Sequence, residues 1–177
     1  FLAYKLTGSA KVLAFVHTGG AMALLVLSPL GGVVADRLEK KRILQLVQII
    51  FVLMSASIAV TIMLDKINWI LLVIGGVTQG SAWAFAAPAR QSLVSMLVPK
   101  EMIGNAVILA GFAASASHLV FPLVAGLIYA TLGPEAVFFT VSIMAIGALI
   151  FTTMLPGVSG DTLKVKPQIV EDLKQGF

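Results

Sequence analysis

The residues able to do chemistry are few, and they sit at the ends or near the middle of long apolar runs. The densest group is Asp36-Arg37-Leu38-Glu39-Lys40-Lys41-Arg42, six charged residues in seven. Residues 12–35 before it and 43–64 after it are uncharged. An acid at such an edge can meet an arginine or the positive end of a helix dipole. Arg90 ends another apolar run on the same side. His118 lies within the uncharged stretch 102–134, roughly 24 Å along a helix started at residue 102, near mid-bilayer if that helix is tilted. Ionisable groups at that depth are rare and often functional, and histidine changes charge near physiological pH. The competing reading is a neutral imidazole hydrogen-bonded to a neighbouring helix. Gln79 and Trp83 are one turn apart and share a face. With Phe85 they are candidate contacts for a large, partly aromatic substrate, with interhelical packing as the alternative. There is no metal-ligand spacing, nucleotide loop or nucleophile beside a base, so no enzyme activity, metal or cofactor is expected. The chemistry on offer is ion pairing, hydrogen bonding and proton carriage.

Membrane helices must position these groups. The chain of 177 residues is 59% hydrophobic and 11% charged, where soluble domains carry about 25% charged residues. Mean hydropathy is +1.02. Lipid cannot satisfy an open sheet edge, so the fold class is all-α. Five runs are long enough for the roughly 20 residues that cross a bilayer core: 12–34, 43–64, 67–87, 102–131 and 136–155. Phe1 to Tyr4 reads as the last turn of an earlier helix. After Pro88-Ala89-Arg90, residues 91–98 read as a short amphipathic continuation of the third run, ended by Pro99. Nine of the twelve Lys and Arg residues fall on the side of the 36–42 loop, which marks that side as cytoplasmic. Net charge is +4, and this asymmetry explains it without nucleic acid. No cysteine is present, so there is neither disulfide nor thiolate chemistry.

Small residues and prolines mark the packing expected of these helices. Gly19-Gly20 and Gly31-Gly32 punctuate the first run, with Pro29 as a kink between them. Gly76, Gly80 and Ala84 recur every fourth residue in the third, a seam for another helix. The second and fifth runs lack proline and are rich in Leu, Ile and Phe, which suits lipid contact. Gln45 and Gln48 on the second run are expected to hydrogen-bond a neighbouring helix.

The order of residues in the basic loop carries a resemblance. Gly32-x-x-Ala35-Asp36-Arg37-x-x-Lys40-Lys41 resembles the loop 2–3 signature of the major facilitator superfamily, with Val34, Glu39 and Lys40 as departures. Pro88-Ala89-Arg90-Gln91 through Pro99 resembles the end of helix 4 in that superfamily's enterobactin-exporter and macrolide-efflux branch. Ser117-x-x-x-Phe121-Pro122-x-x-Ala125-Gly126 occupies the place of the helix 5 antiporter motif, with Pro122 and Gly126 kept. Residues 171–177 resemble the linker leading into helix 7.

The resemblance implies that residues 1–156 are the end of helix 1 and helices 2–6 of a six-helix half. Residues 157–177 would then be a cytoplasmic linker toward a second half. It implies an inner-membrane secondary transporter that rocks between two states. It also implies that Asp36 meets Arg90 and a helix of the other half as an inner gate. Export of drug-like or siderophore-like compounds by proton antiport is the expected function, with the substrate, protons and lipid as partners. An importer of sugars, acids or peptides is the alternative within the family, and a membrane sensor or scaffold the alternative outside it. A membrane-embedded Asp or Glu is lacking in this sequence, so a carboxylate proton carrier would lie elsewhere in such a transporter.

Overall fold

The computed structural model describes residues 8–155, apart from the side chain of Asp36. The expected helix 1 remnant at Phe1 to Tyr4 and the linker over 157–177 lie outside the described residues. Among the described residues the fold is five α-helices and one short 3-10 turn. They are α1 (Ala10–Arg37), α2 (Lys40–Met63), α3 (Trp69–Leu97), α4 (Ile103–Leu132) and α5 (Pro134–Met154). All five are long and apolar enough to cross a membrane. They match the five runs read from the sequence, with ends shifted by a few residues except in α3, which runs ten residues past 87. They form up-and-down neighbours, so α1, α3 and α5 run toward the basic edge while α2 and α4 run away from it.

The connections are short, and each has a local reason. Leu38 and Glu39, both extended, join α1 to α2. Asp65 adopts φ +52 in the next turn, a left-handed conformation that Asp tolerates better than most residues. Asn68 then caps α3, its Oδ1 accepting from the Ile70 N–H at 3.2 Å. Gly133, at φ +91, is all that separates α4 from α5, and Pro134 opens α5 where its missing N–H costs nothing.

One expectation is corrected. The third helix does not end at residue 87: α3 runs unbroken through Pro88 to Leu97 and takes in the continuation expected at 91–98. Proline removes the N–H that would bond the carbonyl of Ala84 four residues earlier. That carbonyl is covered from the side by α1. A Cβ on Gly31 would overlap it, so the two backbones touch there as only glycine permits. A close Cα–H···O contact of this kind offsets part of the lost hydrogen bond.

The same device recurs along the α1–α3 contact, which is the most extensive in the bundle. A Cβ on Gly80 would overlap the Gly20 carbonyl, and one on Gly20 would lie 2.7 Å from the Gly76 oxygen. The seam of small residues on α3 therefore faces α1. A second face of α3 carries Ala82, Ala86, Ala89 and Leu93, which are buried with Ile43, Leu44 and Val47 of α2. Helices α2 and α5 pair through two polar ties. Gln48 Nε2 donates to Thr152 Oγ1 at 2.9 Å, and Ser55 and Ser142 share a hydroxyl hydrogen bond of 2.7 Å. The helix–helix bond expected of Gln48 is thus made with α5. Their remaining faces are apolar and exposed, including Leu46, Leu53, Ile143 and Phe151. Helix α4 touches its neighbours lightly and has no buried residue.

Candidate functional site

At the basic edge, the order of charges has structural consequences. Glu39 stands at the start of α2 and pairs with Arg42 at 2.6 Å, closing the first turn. Lys41 reaches across to the end of α5, where its Nζ donates to the carbonyls of Thr153 at 2.9 Å and Leu155 at 2.6 Å. These are carbonyls of a helix C-terminus, which lack intrahelical partners and carry partial negative charge. Lys40 begins α2, and Arg37 ends α1 where a cation suits the helix dipole. Gly32 stands open, with nothing within 4 Å of where a Cβ would be, in contrast to Gly31.

Asp36 lies in the last turn of α1. Its depth follows from the neighbouring contact. Gly31 abuts Ala84, and α1 and α3 run the same way. Five residues further on α1 is about 7.5 Å, and six on α3, to Arg90, is about 9 Å. The backbones of Asp36 and Arg90 therefore reach nearly the same level.

The Arg90 side chain turns away from that edge. Its guanidinium carbon lies 5.5 Å from the centroid of the Trp83 ring. The residues are seven apart, two turns, and so share a face of α3. Helical side chains lean toward the N-terminus, which here means back along α3 toward the bilayer interior. Gln79, one turn beyond Trp83, is exposed on the same stripe. Gln79 also borders a cavity of about 310 Å³ between α1, α2, α3 and α5, in the half of the bundle away from the basic edge. Its lining is apolar apart from His17, Thr78, Gln79 and Ser55, the last already bonded to Ser142. Phe85 lies apart from this stripe, half-buried against the α2–α3 core.

The remaining candidates lie on α4. His118 is exposed near its middle, and its backbone carbonyl is the one that Pro122 deprives of an i+4 donor. Ser117 Oγ donates to the Ala113 carbonyl within the same helix at 2.7 Å. Gly126 stands open, as do Gly104 and Gly111. The structure thus brings Trp83 to Arg90 and sets Gln79 and His17 on the lining of one cavity, while His118 belongs to neither group. The Trp83–Arg90 spacing of seven was visible in the sequence. The partners of Lys41 and the cavity role of His17 were not, because each depends on which helices become neighbours.

The sequence model of the Major Facilitator Superfamily matches residues 1–172. A curated relative, Macrolide efflux protein A of Streptococcus pyogenes, is 23% identical over 97% of this chain. The same protein from Streptococcus pyogenes serotype M6 matches equally. The chain spans 43% of the length of these relatives. No solved structure matches.

Proposed function

Since the chain belongs to the major facilitator superfamily, we propose that it is most of the first half of a secondary active transporter exporting drug-like or siderophore-like small molecules in exchange for protons. The observation that carries export is the similarity, along 97% of the chain, to a protein named for macrolide efflux. Residues 1–156 then form the transmembrane half and 157–177 the linker, with the basic edge in the cytoplasm of a cell membrane.

The basic edge is the inner gate in this reading. Asp36 and Arg90 stand at nearly the same depth on two helices locked together by Gly31 and Ala84. Near the membrane edge an ion pair is less screened than in bulk water. In the outward-facing state the pair forms and, with the second half of the protein, closes the cytoplasmic side. In the inward-facing state Arg90 leaves Asp36, and the stacking on Trp83 gives it somewhere to go. A coupling of about 1–3 kcal/mol is enough to shift the two states five- to 150-fold.

The test is a double-mutant cycle in the full-length protein, with transport rate and cytoplasmic-side labelling of a cysteine at position 40 as readouts. Asp36→Asn and Arg90→Gln should each lower turnover and speed the labelling. The double variant should be little worse than either single one, because coupled residues are not additive. Additive losses would mean that the two residues act separately, and the gate reading would fail.

A further inference from the structure

An arginine at a membrane edge ordinarily extends its head into water. Arg90 instead folds back over Trp83, whose side of α3 is open, the residue being 40% exposed. On a lipid-facing surface a guanidinium held there would be costly. The Gln79–Trp83–Arg90 stripe therefore belongs to a polar or water-filled space. Within that space an indole face already holds a cation. Indole is the strongest of the aromatic cation acceptors, and the attraction grows as water is excluded.

We propose that Trp83 is an exchange site for cations: in the unloaded protein it holds Arg90, and a substrate bearing an organic cation displaces Arg90 from the ring. The substrate class is a bulky amphipathic cation. Its charge takes the indole face, its apolar body lies along α3, and Gln79 supplies a hydrogen bond one turn further on. The displaced guanidinium moves down α3 toward Asp36, so loading of the stripe favours closure of the inner edge. Trp83 thereby acts as both a specificity-determining and a positioning residue. This deepens the transport reading and rests on it.

The test measures equilibrium binding of tetraphenylphosphonium to the purified full-length protein, which needs no gate to function. Trp83→Leu should abolish binding, and Trp83→Phe should retain part of it. Tryptophan analogues with one to three ring fluorines, placed at position 83, should weaken binding stepwise, since fluorine drains the π face with little change in size. Arg90→Gln should tighten binding roughly two- to thirty-fold, because the competing cation is gone. A packing role for Trp83 would respond neither to fluorination nor to the loss of Arg90. A flat fluorine series, or unchanged or weaker binding in Arg90→Gln, overturns the proposal, as does absence of binding in every variant. Asp36→Asn separates the two readings. If it leaves labelling at position 40 unchanged while the binding series holds, the gate fails and the exchange site stands.

Discussion

Lys41 shows how much one side chain at the basic edge does beyond setting membrane orientation. Its two hydrogen bonds tie the start of α2 to the last carbonyls of α5, more than 100 residues away in sequence. A cation at a helix C-terminus is worth about 0.3–1 kcal/mol, and up to ~2 when partly buried. Lys41→Met should therefore lower the melting temperature of the detergent-solubilised protein by a few degrees. Lys41→Arg should restore most of it, since the charge and the donors are kept. Equal melting of Lys41→Met and the parent would show that orientation alone explains the lysine. Nothing in the order Glu39-Lys40-Lys41-Arg42 tells which cation does this. Glu39 claims Arg42 three residues on, a pairing legible from helix spacing. The destination of Lys41 becomes legible only once α5 is known to pack beside α2.

At the scale of elements, hydropathy and the charges between runs were enough to find all five helices, because the bilayer leaves little else for such runs to do. The small-residue seam on α3 was legible in the same way, from Gly76, Gly80 and Ala84 at one face. Its partner was not, since α1 offers two glycine pairs and the sequence does not rank them. The structure ranks them by backbone contact. Gly20 and Gly31 meet α3, whereas Gly32, one residue on, meets nothing. Pro88 was misread as a boundary because the lost hydrogen bond was counted without the contact from Gly31 that covers the freed carbonyl. These contacts make a sharp prediction. Gly80→Leu and Gly31→Ala should both reduce the yield of folded protein, overpacking costing about 1–3 kcal/mol. Gly32→Ala should fold as well as the parent. Size-exclusion profiles of a fluorescent fusion read all three. A normal profile for Gly80→Leu would remove the seam, and one for Gly31→Ala would remove the account of Pro88.

At the scale of the whole molecule, the helices divide unequally. Helices α1, α2, α3 and α5 are joined by close backbone contact, a buried core and polar ties. Helix α4 keeps Ile108, Phe112, Leu119 and Leu123 exposed, each at 70–72%, and carries its glycines uncovered. In the proposed transporter this helix, with His118 and Pro122 midway along it, meets the other half and moves against it. Such a role needs a surface committed to no partner within the first half. The most direct measurement is uptake of a labelled macrolide into everted membrane vesicles from cells expressing the full-length protein, with an outward-directed (acid-lumen) or a collapsed proton gradient. Uptake into everted vesicles that rises when the lumen is acidified and vanishes when the gradient is collapsed is the expected result. Gradient-driven uptake into right-side-out vesicles instead, or no flux in either orientation with the protein present and folded, would contradict proton-coupled export.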